Sequence, residues 1–190
     1  MADTGLTLFD TAIGRVGIAW SPRGLRAVAL PAETDASTLA RLRRRCPGAV
    51  DSKPPEEVRK AVVGIVAHLE GRLDDLKWIA LDHEGAPDLH REIWRRIRDI
   101  PPGETRTYGE IAADLGDRAL AQTVGQAMGR NPTPIIAPCH RVLAAGGRTG
   151  GFSAPGGVAT KFRILQIEQA KAGWVDQPGL FGNLPLSART

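Results

Sequence analysis

Three prolines, Pro132, Pro134 and Pro138, fall within seven residues of one another, and they leave the backbone there few choices. Proline lacks an N–H and clashes with the helical turn before it, so no helix runs through this stretch. Residues 131–138 must therefore form a stiff, extended loop. Cys139 stands at its end, just after a run of small residues that reads as a helix. A chain of 190 residues with 42% hydrophobic and 24% charged content can bury enough apolar surface around such a loop for one domain or two small ones.

The first part of the chain reads as strands. Leu6-Thr7-Leu8-Phe9, Val16-Gly17-Ile18-Ala19-Trp20 and Leu25-Arg26-Ala27-Val28-Ala29-Leu30 are short and parted by Gly- or Pro-containing turns. Helices are predicted over 36–45, stopped by Pro47-Gly48, and from Pro54-Pro55 to Leu69. Residues 76–81 read as a further strand, and the polar segment 82–87 as a linker. Beyond it the pattern turns helical. Residues 89–100 place Leu89, Ile93, Trp94 and Ile97 on one stripe. Thr107 and Glu110 form a capping box opening a helix to about Leu115. After Gly116-Asp117 a small-residue helix follows over 119–128, and the pair reads as a helix-turn-helix. A last helix is expected over 158–170, ending near Gly173. The predicted class is α+β. An N-terminal α/β domain with a small antiparallel sheet spans 1–86, a helical C-terminal domain with the helix-turn-helix and active-site loop spans 87–175, and 176–190 is a tail.

Two cysteines, Cys46 and Cys139, are too few for a disulfide framework. His68, His83 and His90 lack ligand spacing, so no metal site is expected. No apolar run approaches the roughly 20 residues that span a bilayer, and Met1-Ala2-Asp3-Thr4 does not open a secretory signal. A cytoplasmic protein with no membrane association is expected. The charge is uneven: residues 1–87 carry 12 Lys/Arg and 12 Asp/Glu, whereas residues 88–171 carry 12 against 8. A basic excess confined to one half suits a polyanion partner there. From charge alone a solvated arginine-rich surface is the favoured reading, and the Arg41–Arg45 run reads as a solvated helix face.

Cys139-His140 sets a thiol beside an imidazole in sequence, and an imidazole or cation near a thiol activates it. Adjacency alone is weak, because neighbouring residues need not bring their functional groups together. The surrounding block says more. Pro138-Cys139-His140-Arg141-Val142, preceded by Asn131-Pro132 and followed by Gly151-Phe152-Ser153 and by Lys161 and Glu168, closely resembles the alkylguanine-DNA alkyltransferases. These are suicide repair proteins that take alkyl groups from the O6 atom of guanine. The resemblance runs from about Phe9 to Glu168. Asp10-Thr11-Ala12-Ile13-Gly14 with Arg23-Gly24-Leu25 is similar to the family's opening hairpin, and Ile100-Pro101-Pro102-Gly103-Glu104-Thr105 with Tyr108-Gly109-Glu110-Ile111-Ala112 to its segment leading into the helix-turn-helix.

The resemblance implies a role for each matching residue. Cys139 would accept the alkyl group, His140 would be its base through a water, and Glu168 would orient the imidazole. Tyr108 would protonate or hydrogen-bond N3 of the departing guanine, and Asn131 would fix the turn between helix and loop. Met128, Val142, Phe152, Ser153 and Lys161 would bind substrate. Tyr108, Arg118, Ala121, Gln122 and Arg141 would meet DNA, with the small residues Ala119, Ala121, Thr123, Gly125 and Ala127 allowing close approach. Without the neighbouring motif that stripe reads as tight helix packing. The implied partner is double-stranded DNA containing alkylated guanine, bound by a monomer that is nucleoid-associated when on DNA, with the target nucleotide rotated out of the stack. No cofactor is implied.

The sequence departs from the family pattern at the finger. Gln122 stands nine residues before Asn131, where an arginine is usual, and Leu120 where a small residue is usual. Residues 154–157 make the following loop about two longer. These changes bear on base flipping and lesion preference. They leave open a protein specialised for a different or bulkier adduct, a non-catalytic binder of alkylated DNA, or a helix-turn-helix regulator. Cys139 argues against the binder.

Overall fold

The structure is a computed structural model, and it describes residues 4–169. Strands β1 (Gly5–Thr11), β2 (Gly14–Ser21) and β3 (Gly24–Ala29) form an antiparallel meander, as their short alternating runs and glycine turns predict. Helix α1 (Asp35–Arg45) is capped by Thr34, whose side chain accepts from the Ser37 N–H. The two-residue strand β4 (Val50–Asp51), which sequence reading missed, pairs parallel to β1 and completes the order β3-β2-β1-β4. Helix α2 (Glu56–Leu69) then packs Val58, Ala61, Ile65 and Leu69 into the same core as the sheet.

Residues 76–81 do not form the expected strand. Only Leu81 bridges to Leu25, and the carbonyls of Leu76, Lys77 and Ile79 all accept from the Arg98 guanidinium. A side chain from another helix satisfies groups that a neighbouring strand would otherwise have taken. In the segment expected as a linker, Asp82 is buried and accepts from Ser21 Oγ at 2.6 Å.

Helix α3 (Asp88–Ile97) buries Ile93, Trp94 and Ile97 as expected. Leu89, expected on that stripe, is exposed, and His90 takes its place against Trp94, ring centroids 5.7 Å apart. The chain then crosses a two-residue strand β5 (Arg106–Thr107) into helix α4 (Tyr108–Asp114), where both halves of the Thr107–Glu110 capping box are formed. A 3₁₀ turn (Arg118–Leu120), begun by Asp117 accepting from the Ala119 N–H, leads into α5 (Ala121–Arg130). The second helix of the pair therefore starts two residues later than predicted. Strand β6 (Val142–Leu143) pairs parallel to β5, and α6 (Gly157–Ile167) closes the described chain. Helix α6 ends at Ile167, with Glu168 as its C-cap, short of the expected 170; the region near Gly173 and the tail lie outside the described residues. Among those residues no helix is long and apolar enough to cross a membrane.

The loop after α5 is held by the N-terminal sheet. Ile135 and Ile136 join Val28, Leu30 and Ile65 in one core, the Val28 N–H donates to the Pro132 carbonyl at 2.8 Å, and His83 Nε2 meets Thr133 Oγ1 at 2.9 Å. Ile135 has φ +77°, a strained value for a β-branched residue that costs about 1–3 kcal/mol. Burying its side chain contributes about 1.5–3 kcal/mol, and Ile136 beside it is fully buried as well. Packing thus outweighs the strain and sets the loop's shape.

Candidate active site

Cys139 opens a short 3₁₀ turn (Cys139–Arg141) directly behind the proline loop, and it is 6% exposed. Asn131 fastens that loop: its Nδ2 donates to the Ala137 carbonyl at 2.7 Å, and its Oδ1 accepts from the Thr133 N–H at 3.0 Å. Arg45, at the end of α1, donates to the Asn131 carbonyl at 2.8 Å. That residue belonged to a run read as a solvated helix face; its guanidinium instead reaches across to the loop.

The thiol lies on the wall of an open cleft of about 520 Å³ that it shares with Tyr108, Met128, Phe152 and Ser153, with Gly125, Gly129 and Gly151 along the rim. Gly150, at φ +63°, brings the backbone so close to Tyr108 that a Cβ there would meet the phenol oxygen at 2.7 Å. Only glycine fits both the conformation and the contact. Ser153 Oγ donates to the Gly129 carbonyl at 3.1 Å, tying the two rims together. On its other side Cys139 borders a narrower recess lined by Leu30, Arg41, Arg45, Pro134 and Ala154.

Behind Cys139 lies a buried cluster of polar and charged groups. His140 Nε2 is 2.9 Å from Glu168 Oε1, and both side chains are completely buried. Arg141 grips the same carboxylate with two nitrogens, Nε to Oε2 at 3.0 Å and Nη2 to Oε1 at 2.8 Å. It also donates to the Ile100 carbonyl, fixing the turn that precedes β5. Glu168 is held well below the usual carboxylate range, because the donors and positive charge around it outweigh the burial that would raise it. Burial pushes His140 down, toward the neutral imidazole, and that outweighs the pull of Glu168, whose charge Arg141 already balances. His140 Nδ1 has no hydrogen-bond partner among the described residues, which leaves it free as an acceptor. Burial raises the Cys139 thiol, against a hydrogen bond from Asn131 and the charges of Lys161 and Arg45. Burial also raises Tyr108, with Cys139 adding to the shift.

Three expected positions need correction. Arg141, expected on the DNA face, is 1% exposed and belongs to the carboxylate cluster. Val142 lies in the core behind the cleft, in the strand pair with Arg106. Lys161 is fully buried and donates to the carbonyls of Val142 and Thr149, both at 2.7 Å, so it ties the chain after Cys139 to α6 rather than lining the cleft. Desolvation brings its ammonium down to about 8. Arg118 and Gln122 are exposed and Ala121 half-buried at the start of α5. Of the small residues, Ala127 is core, its carbonyl accepting from Trp94 Nε1, while Gly125 borders the cleft.

Sequence reasoning missed His68. It projects from the last turn of α2, 100 residues away, and its Nε2 lies 2.9 Å from Glu168 Oε1 with both side chains fully buried. Nothing local in the sequence marks it.

A mixed α+β chain whose helix-turn-helix abuts a buried cysteine, with imidazole and carboxylate behind it, is the class that fold and site together define. Comparison with known proteins narrows the class. The family model for the DNA binding domain of 6-O-methylguanine DNA methyltransferase matches residues 88–170. The methylated-DNA–protein-cysteine methyltransferase of Mycobacterium tuberculosis is 40% identical over 112 residues, which are 59% of this chain and 66%, just under two thirds, of that protein. Its namesake from Methanothermobacter thermautotrophicus is 32% identical over 153 residues, covering 80% of this chain and 78% of the relative. A crystal structure of Mycobacterium tuberculosis OGT in complex with DNA superposes with a TM-score of 0.71 at 32% identity, over 87% of this chain and 92% of that one. The chain belongs to the family of methylated-DNA–protein-cysteine methyltransferases.

Proposed function

We propose that this chain repairs DNA by moving an alkyl group, once, from the O6 atom of guanine in a duplex to Cys139 Sγ. The observation that carries the reading is the placement of one thiol between an open cleft holding Tyr108 and a buried His140–Glu168 pair. At rest both partners are neutral: burial keeps the proton on Cys139 and keeps His140 from taking a second one. His140 Nδ1, its lone pair free, takes the thiol proton through a water. The thiolate attacks the alkyl carbon, a C–S bond forms, and the C–O6 bond breaks with its electron pair going to guanine. Tyr108, whose proton burial retains, donates to N3 of the leaving base. The proton lost by the thiol is thereby matched by one gained by guanine, and His140 returns its proton to Tyr108 through solvent.

The reaction centre lies inside the stack, so the nucleotide must be rotated out. The exposed start of α5, with Arg118, Ala121 and Gln122, is the surface offered to the duplex. The protein acts as a monomer on nucleoid DNA in the cytoplasm. The size of the cleft before Cys139, about 520 Å³, favours a second reading of the same chemistry in which alkyl groups larger than methyl are accommodated. Incubation with a duplex carrying methylguanine, followed by intact mass and peptide mapping, tests the proposal. One alkyl increment is expected on the Cys139 peptide and none on Cys46, whose thiol burial raises and which does not line the cleft. An increment on Cys46, or none with any alkylated duplex, refutes it. Relative rates for methylated and benzylated duplexes test the second reading.

A further inference from the structure

We infer that His68 is a positioning residue of the transfer site: it holds Glu168 Oε1 with a neutral N–H donor and so limits how strongly that carboxylate draws on His140. The inference rests on the alkyl-transfer reading and adds a residue that the cysteine motif does not contain.

The tautomer follows from the hydrogen bonds. The backbone N–H of Asp74 points at His68 Nδ1, 3.3 Å away. A backbone N–H can only donate, so Nδ1 must present its lone pair, and the one ring proton sits on Nε2. Nε2 is therefore the donor in the 2.9 Å contact with Glu168 Oε1. Protonating the ring would set Nδ1–H against the Asp74 N–H, donor against donor.

Glu168 Oε1 then accepts from three donors, His68 Nε2, His140 Nε2 and Arg141 Nη2, while Oε2 accepts from Arg141 Nε. Arg141 brings charge; His68 brings only a hydrogen bond. Each donor makes a carboxylate less basic. With His68 in place Glu168 orients His140 without competing for its proton, and it stabilises the imidazolium less than it otherwise would. The groups facing His140 are Glu168, Arg141 and His68, and those facing His68 are Glu168 and Asp74. Of these, Glu168 raises His140, while Arg141 and His68 lower it. The base stays neutral, as an acceptor of the thiol proton must.

Two substitutions separate the bonds. His68→Asn keeps an acceptor for the Asp74 N–H but is too short to reach Glu168; His68→Gln keeps an N–H near the position of Nε2. Single-turnover alkylation of the full chain by a methylguanine duplex is measured against pH, with a thermal midpoint for each variant. Transfer needs neutral His140, so it falls off on the acid side as His140 protonates. Loss of the His68 donor raises His140 and moves that limb to higher pH. For His68→Asn the limb should rise by about one unit and the rate on it fall about tenfold, while His68→Gln should stay within about threefold of wild type with its limb in place. A His68→Asn profile of unchanged shape overturns the inference, whatever happens to the midpoint. So does a limb moved equally by both substitutions. The wild-type chain gives an independent check needing no variant: isotope-labelled histidine spectra should report the Nε2–H tautomer for His68, and an Nδ1–H tautomer or an imidazolium refutes it. Wild-type protein that takes no alkyl group refutes the transfer reading instead, so the two failures are distinct.

Discussion

Glu168 and Gln122 belong to the same half of the chain and live under opposite physical regimes. Glu168 is 1% exposed and accepts from three residues of two separate segments. Gln122 is exposed on the first turn of α5, its side chain bonds to nothing among the described residues, and the helix start before it has no side-chain cap. At the buried end fold and chemistry depend on the same contacts, so a substitution there changes both. At the exposed end a side chain can change with little cost to folding. A departure from the family at Gln122 is therefore compatible with an intact cluster behind it.

The largest effect expected is at the thiol. Cys139→Ser should abolish transfer, because a hydroxyl is far harder to ionise, while the duplex still binds; intact mass and a gel-shift titration check both. Transfer by the serine variant would break the comparison at its root. Glu168→Gln comes next and should show fold and chemistry failing together. Removing the equivalent carboxylate in a Ser-His-Asp site lowers the rate about 10⁴-fold, an upper guide for a thiol. The substitution also leaves Arg141 buried without its counter-charge, at a cost of about 3–5 kcal/mol, readable by urea denaturation.

The pH dependence of stability has a definite sign. Glu168 is depressed in the folded chain from an ordinary value of 4.5, so its contribution is full above that value and is lost as pH falls below it. Wild type should weaken steadily under acid through this window, and Glu168→Gln should show a flatter curve there. Asn131→Ala should cost less, since it leaves the Thr133 N–H unpaired at about 1–3 kcal/mol while the Ala137 carbonyl keeps the Cys139 N–H as a donor. Melting and alkylation measured on one preparation would show whether the loop and the thiol fail in step.

The smallest effect is at the exposed end. An arginine can fill a vacated stack and is drawn to the negative groove. Gln122→Arg should therefore speed transfer from duplex several-fold relative to transfer from the free alkylated base, which needs no flipping. The midpoint should stay within about 0.5 kcal/mol of wild type. A ratio of the two rates that is unchanged or lower would mean another group, Arg118 or Leu120, fills the gap.

What could be read from the sequence was local. The meander and the Thr107–Glu110 capping box depend on residues a few positions apart and form as expected. The prolines keep 131–138 out of a helix, but that loop is a series of turns closed by the Ala137 N–H on the Thr133 carbonyl rather than extended. What could not be read joins distant segments. Arg141 adjoins His140 in sequence and looked like a surface cation; only the arrival of Glu168 from α6 explains why it is inside. Residues 76–81 have the composition of a strand, but Arg98 takes their carbonyls. His68 and Arg45 come from helices of the first half and end at Glu168 and Asn131. The motif located the nucleophile, and the long-range contacts show what holds its surroundings.

The depth of Cys139 also decides what else can react with it. Peroxide oxidises thiolates, and fastest where they are exposed. This thiol is 6% exposed, and burial retains its proton. It should therefore age slowly in air while the more accessible methionines and tryptophans of an ordinary surface do not. On the alkyl-transfer reading proposed above, a cysteine consumed by a single alkyl group has no second chance if its sulfur is first oxidised. The protein's shelf life and its repair capacity are then one quantity, the fraction of molecules that still carry a reduced Cys139 when a lesion arrives.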